Sequence, residues 1–255
     1  ATLFQRILAQ AGIRYDDNDT FGSALSPRFG LGYVHPSTKS KIFASYSEGF
    51  IAPSLNQYYL AVIGGTLSQQ LTEENSKTYE VGFNQPFIDV FNLGQVALGT
   101  TYFYTDYDAH IHELQLMNNA HVYGIEAHIQ YKPTEWLKLY TNYTFTQAIN
   151  DDDGSRLSSI PKHLVNSGFY LEPLKGLNFH AYTHVVSSRP IPDTLSTDAL
   201  GDLGLAFFDG SGNAAGTTLG SYFTVNLTAS YKHELNLSWL DTVSYTHLTL
   251  PTSPK

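Results

Sequence analysis

The sequence predicts an all-β chain, an antiparallel up-and-down meander of about ten long strands. Three observations carry this. Apolar residues recur at every second position, the repeating segments run to about ten residues, and the connections alternate between short and long. No long segment shows a 3.6-residue period bounded by capping residues, so no helix is predicted.

The strands follow in order. In the first, Ile7, Ala9, Ala11, Ile13 and Tyr15 alternate with Leu8, Gln10, Gly12 and Arg14. In the second, Phe29, Leu31 and Tyr33 alternate with Gly30 and Gly32. Residues 42–47 repeat the pattern, and so do residues 77–84, where Tyr79, Val81 and Phe83 face away from Glu80 and Gly82. Residues 95–105 read as a fifth strand. In the sixth, Tyr123, Ile125, Ala127, Ile129 and Tyr131 alternate with Gly124, Glu126, His128 and Gln130. Residues 137–146, 164–172, 177–186 and 223–231 complete the set. The mode in soluble sheets is about 5–6 residues. A tilted strand needs about 9–11 to cross a bilayer.

One face of each strand is apolar and often ends in Tyr, as at Tyr15, Tyr33, Tyr131 and Tyr231. The other carries Gln, Glu, His, Asn, Thr and Gly. A sandwich would bury the first face, whereas a membrane barrel would turn it to lipid, with aromatics at the interfaces. The connections decide between these. Residues 36–40, 85–94, 132–136, 172–176 and the stretch after Lys232 are short. Residues 16–25, 48–75, 106–120, 147–162 and 187–221 are long. Short turns at one end and long loops at the other are the plan of a partial transmembrane β-barrel. The long loops also hold 16 of the 23 acidic residues, with only Arg156, Lys162 and Arg189 as cations. The net charge of −9 is therefore read as the property of one rim.

Composition agrees. Charged residues are 15% of the 255, against roughly 25% in a soluble domain, and aromatics are 14%. An acidic chain is a poor nucleic-acid binder, and the absence of cysteine excludes a disulfide scaffold. No apolar run reaches the length of a transmembrane helix. The first residues lack the basic start and apolar core of a signal peptide, so the chain is expected to begin inside a larger protein.

Residues 43–83 carry a recognisable block: FASYSEGFIAPSLNQYY, then LTEENSKTYEVGF. It resembles the barrel of TonB-dependent outer-membrane receptors. There a "fasYseGFraPs" strand leads into a large extracellular loop, and the chain returns through "L-x-x-E-x-S-x-x-Y-E-x-G". The matching positions are Ser45 to Phe50 and Ala52 to Ser54, then Leu71, Glu74, Ser76, Tyr79, Glu80 and Gly82. NAHVYGIE at 119–126, NYTFT at 142–146, IPKH at 160–163 and FTVNLTASY at 223–231 agree with it. The resemblance covers roughly residues 1–240 and implies the C-terminal part of a 22-stranded barrel. The plug domain, the TonB box and the closing strand would lie outside this chain.

What the resemblance implies is TonB-driven uptake of a scarce nutrient, such as a ferric siderophore or similar metal chelate, at the bacterial outer membrane. The implied partners are outer-membrane lipid, a small-molecule metal chelate, and the TonB system acting through the plug. No enzyme activity and no bound cofactor are implied. Haem receptors of the family carry an Asn-Pro-Asn-Leu element after a Phe-Arg-Ala-Pro one. Here the first is FIAP and the second is absent, which argues against haem. A passive porin-like channel and a soluble β-sandwich ligand-binding module are the alternatives. The tail 241–255, with VSYTHLTLPTSPK at 243–255, does not continue the pattern. It reads either as a non-native, adapter-derived end or as a divergent strand stopped by Pro251 and Pro254.

Candidate ligand-binding residues fall on the long loops. Phe50, Asn56, Gln57, Tyr58 and Tyr59 place rings and amides on the loop at 48–75. They either contact ligand or pack on neighbouring loops. Arg189 could meet an anionic ligand group or pair within the molecule. The ten histidines, among them His110, His112, His121, His128, His180 and His184, lack any metal-binding spacing and read as polar lumen or loop residues. The segment NDDDGS at 150–155 faintly resembles a calcium loop but lacks the downstream bidentate Glu, and is read as a tight turn. No nucleophile–base pair stands out.

Overall fold

The computed structural model describes residues 2–3, 6–18, 22–51, 74–108, 111–112, 115–116, 119–191, 218–237 and 240–251. Sixteen strands form, and no helix is found among these residues. They are β1 (Thr2–Leu3), β2 (Ile7–Asn18), β3 (Gly22–Val34), β4 (Lys41–Ile51), β5 (Glu74–Asp89), β6 (Gln95–Asp108), β7 (Ile111–His112) and β8 (Gln115–Leu116). Then follow β9 (Asn119–Thr134), β10 (Leu137–Asn150), β11 (His163–Leu174), β12 (Leu177–Val186), β13 (Arg189–Pro190), β14 (Thr218–Leu219), β15 (Tyr222–Leu237) and β16 (Leu240–Pro251). Twelve of them make one sheet in chain order, β1-β2-β3-β4-β5-β6-β9-β10-β11-β12-β15-β16, with every neighbour antiparallel. The pairs β7–β8 and β13–β14 sit within the long connections. The ten expected strands are β2–β6, β9–β12 and β15. The sheet is open, as befits part of a barrel.

The strands run longer than the apolar pattern. β5, β9 and β15 reach 16 residues. The expected loop at 16–25 is one casualty: Asp16 pairs with Ala24, Asp17 with Ser23 and Asn18 with Gly22, which leaves only 19–21 as the connection. Backbone groups beyond the apolar band still need hydrogen-bond partners, and the neighbouring strand supplies them whatever the side chains are. The other long connections stay long. Most of the one after β4, residues 52–73, lies outside the described residues. At the far edge β16 pairs with β15 from Leu237↔Leu240 to Asn226↔Pro251. Any extended segment beside an open sheet edge can make such a pairing.

Register aligns the apolar positions into rows. One row runs Phe29↔Tyr46↔Tyr79↔Tyr104↔Tyr123 across five strands. Below it lies Leu31↔Ala44↔Val81↔Tyr102↔Ile125↔Phe145. This face is bare: Ile13 is 71% exposed, Leu31 61% and Phe223 67%. A sandwich would cover these side chains with a second sheet. Here they form the outward face of a single-layer wall, with a tyrosine girdle near the long-loop end.

The opposite, lumen-side face is paved in a way the sequence pattern did not announce. A Cβ on Gly82 would lie 2.5 Å from the Phe43 ring, one on Gly124 2.7 Å from Phe103, and one on Gly168 2.7 Å from the Tyr140 hydroxyl. His128 covers Gly99 in the same manner. Each ring lies over the glycine paired directly opposite it and fills the space a side chain would take. Nearer the short-turn end, Tyr170 stacks on His180 at 4.1 Å with a 2° interplanar angle, and His180 Nε2 shares a 3.0 Å hydrogen bond with the Tyr140 hydroxyl.

Candidate functional site

The long-loop end carries two constructed features on the lumen side. The first is a cleft of about 370 Å³ at the tops of β2, β3 and β4. Arg14, Arg28, Ser26, Ser47 and Phe50 line it, with Ile13, Glu48 and Gly49. Arg14 and Arg28 share the polar face of their strands, as Gly12↔Arg28 and Arg14↔Ser26 pair in register. Gly12 makes room for the second of them, since a Cβ there would lie 2.6 Å from Arg28 Nε. Arg14 Nη2 donates to Asp16 Oδ1 at 2.6 Å. Glu48 turns the other way and accepts the hydroxyl of Tyr46, a member of the outer girdle.

The second feature is a ledge made by the loop after β10. The four residues most deeply buried among the apolar ones described are Ala120, Ala148, Leu157 and Val186. Leu157 packs on Ala120 and Ala148, flanked by Tyr107, Val122 and Ile160. The Leu157 amide donates to the Ala148 carbonyl at 3.0 Å, and Ile149 bridges to Arg156. The loop therefore folds back onto the wall. Its tip is a closed turn: the Asn150 amide donates to the Ser155 carbonyl at 2.9 Å, and Gly154 takes φ +72°. That is a position glycine occupies without strain. The Ser155 hydroxyl and amide, the latter at 2.8 Å, hold the Asp153 carboxyl below the usual carboxylate range. Asp153 thus stays ionised to lower pH than a free aspartate, and its share of turn stability is lost only as pH falls through that depressed value.

The ledge also draws in β13. The Ser159 amide donates to the Pro190 carbonyl at 2.8 Å. Arg189 lies over the Tyr222 ring at 5.9 Å, and Tyr222 in turn neighbours His184, whose Nδ1 shares a 2.6 Å hydrogen bond with Asn166 Oδ1. Arg156 Nη2 reaches the Ile160 carbonyl at 3.4 Å. Arg156 and Arg189, 33 positions apart in sequence, are thus tied together through residues 159–160 and 190.

Charges sort by face at this end. Asp151 Oδ1 meets His121 Nδ1 at 2.5 Å, with His121 stacked between Tyr104 and Tyr123 on the outer face. Lys77 pairs with Asp108 at 3.6 Å, on the same outer face as Tyr79 and Tyr104. Glu48 also belongs there. Of the rim's acidic residues, Glu48, Asp106, Asp108 and Asp151 lie on the outer band, while Asp16, paired with Arg14, and Glu74 lie on the lumen face. Arg14 and Arg28 face the lumen, and Arg189 is drawn in over lumen-side Tyr222.

Of the sequence candidates, Phe50 borders the cleft at the end of β4, on the strand face of Tyr46 and Glu48, and Arg189 lies on the ledge, whereas Asn56, Gln57, Tyr58 and Tyr59 lie outside the described residues. Sequence reasoning missed Arg14, Arg28 and Arg156. The signal was present in the first two, as arginines at the long-loop end of a polar strand face. Among the described residues no group of three or more His, Asp or Glu side chains could hold a metal ion.

A one-layer antiparallel meander with an exposed apolar face, a polar lumen face and elaborated loops at one end is the wall of an outer-membrane-type barrel. The family model described as "TonB dependent receptor-like, beta-barrel" matches residues 2–245, and the chain belongs to that family. It is not an enzyme family. Heme/hemopexin utilization protein C of Haemophilus influenzae (strain 86-028NP) is 26% identical over 204 residues, 64% of this chain and 28% of that protein. Vitamin B12 transporter BtuB of Vibrio vulnificus is 36% identical over 86 residues, 33% of this chain and 13% of the transporter. Among solved structures, the ferric enterobactin receptor PfeA of Pseudomonas aeruginosa superposes with a TM-score of 0.67 at 18% identity, over 90% of this chain and 35% of that one. The siderophore receptor PirA of Acinetobacter baumannii gives 0.66 at 16% identity, over 90% and 38%. These structures share the fold. The chain spans about a third or less of the length of the curated relatives it matches.

Proposed function

We propose that this chain is part of the barrel of an outer-membrane receptor that imports a ferric siderophore or a similar metal chelate. The exposed apolar face meets outer-membrane lipid, and the loops at the arginine-bearing end bind the chelate outside the cell. Release depends on the TonB system, acting through a plug domain encoded elsewhere in the same protein. The observation that carries this reading is the family match over residues 2–245, joined to a mouth where Arg14, Arg28 and Arg189 lie on the lumen side. Segment 241–255, into which the family match runs as far as residue 245, is proposed as a non-native, adapter-derived end, the alternative being a divergent strand, and re-sequencing the native locus decides between them.

A second reading, haem as the chelate, is favoured by the relatives named for heme and hemopexin use. Both are tested by growth of the source bacterium under iron limitation, supplied with ferric siderophores or with haem. Growth on one iron source should disappear when this gene is deleted, and equally when TonB is inactivated. Uptake that survives loss of TonB would instead indicate a passive channel and overturn the proposal.

A further inference from the structure

We propose that His121 is a proton-operated latch for the ledge. With its imidazole charged it clamps the loop after β10 to the outer face of the wall, and with the imidazole neutral that loop loosens.

The row directly beyond the tyrosine girdle, on the same face, runs Glu48↔Lys77↔Asp106↔His121↔Ile149↔Arg156. Charge alternates from Glu48 to Asp106, and the next place belongs to an imidazole. Asp106, paired directly opposite His121, puts a carboxylate on one side of the ring, since same-face neighbours across a ladder lie about 5 Å apart at Cβ. Asp151 closes from the loop side through its bond to His121 Nδ1. The fixed cations stand further off. Lys77 is drawn to Asp108, and Arg156 lies past Ile149 and reaches the Ile160 carbonyl. Tyr104 and Tyr123 stack on the ring from β6 and β9 and keep it in place. The side chains of His121 and Asp151 are 23% and 35% exposed, so their pair is partly shielded from water and counts for more than a free surface pair.

Imidazole is the side chain that changes charge between about pH 5 and 8. Charged, it is attracted to both carboxylates. Neutral, it leaves Asp106 and Asp151 with no cation between them. The holding force is therefore present at the acid end of that range and is lost as pH rises and the proton leaves. Asp153, kept ionised by Ser155, does not titrate there. What the latch holds is larger than one side chain. The Asp151 amide donates to the Asn119 carbonyl, Leu157 packs on Ala120 and Ala148, and the Ser159 amide ties the loop to Pro190 of β13.

The test is hydrogen exchange read by mass spectrometry on the full-length receptor in detergent at pH 5.5 and 8.0, corrected for the intrinsic pH dependence of amide exchange. Wild-type amides of Asp151, Leu157 and Ser159 should be about threefold to fivefold better protected at pH 5.5, the range open to a partly exposed pair. His121→Gln should abolish the difference, and Asp151→Asn should do the same, which keeps the test open if one variant fails to fold. His180→Gln, at the short-turn end, should retain it. Slow exchange in the β9–β10 ladder confirms that each variant is folded. Equal protection at the two pH values in the wild type would overturn the latch. So would better protection at pH 8.0, or a pH difference that survives His121→Gln.

Discussion

Individual glycines of the lumen face are not interchangeable. A Cβ on Gly124 would lie 2.0 Å from the Phe145 carbonyl oxygen and 2.7 Å from the Phe103 ring. The cross-strand backbone does not yield cheaply. A Cβ on Gly30 would meet nothing closer than Gln10 Cβ at 3.8 Å. Gly124→Ala is therefore expected to destabilise the folded barrel by about 1–3 kcal/mol, as overpacking does, while Gly30→Ala stays near wild type. Urea midpoints of the receptor refolded in micelles separate the two, and equal midpoints would show that the rings do not hold their glycines. None of this was readable beforehand. Gly30, Gly82 and Gly124 look alike in a period-two pattern, and only the residue paired directly opposite, set by register, tells them apart: Gln10 and Ser45 for Gly30, Phe43 for Gly82 and Phe103 for Gly124.

Among elements, the strands were legible and their ends were not. Alternation located β2–β6, β9–β12 and β15, because a single-layer wall with one apolar and one polar face writes itself into every second residue. It broke off where the apolar band stops, although pairing goes on, as at Asp16↔Ala24 and Ile51↔Glu74. The ledge was invisible for a related reason. Residues 150–155 read correctly as a turn, but nothing local says that Leu157 returns to Ala120 and Ala148. Leu157→Ala should loosen that ledge, with a cost of about 2–5 kcal/mol for a buried leucine. Hydrogen exchange should quicken at the amides of Leu157 and Ser159 and stay slow in the β9–β10 ladder below. Acceleration spread through the ladder would mean that the ledge and the wall are one cooperative unit.

At the scale of the whole molecule, the two faces of the sheet do different work. Among the described residues the outward rows have no protein to pack on; on the outer-membrane reading proposed above they would be stabilised by lipid, and charge would be penalised there by depth. Val81→Arg, within the apolar band, should cost about 2–4 kcal/mol, whereas Thr101→Arg on the lumen face should cost far less. Folding yields into lipid vesicles would reveal the contrast. The sorting of arginines to the lumen side and of Glu48, Asp108 and Asp151 to the outer side belongs to this scale too. Composition showed an acidic rim, but a count of charges carries no face, and the faces follow only once the strands are in register. The most direct test of the two-faced wall uses this chain's lack of cysteine. Single cysteines are placed at Leu31, Val81, Ile125 and Leu227 on one face and at Ser45, Thr101, Thr144 and Asn226 on the other. Each is spin-labelled in the full-length receptor, with every cysteine outside this segment replaced by serine, in bilayers, and collision with oxygen and with a polar nickel chelate is measured. The first four should favour oxygen and the second four should not. Equal accessibility of the two sets, or the reverse order, would contradict a membrane-spanning barrel wall.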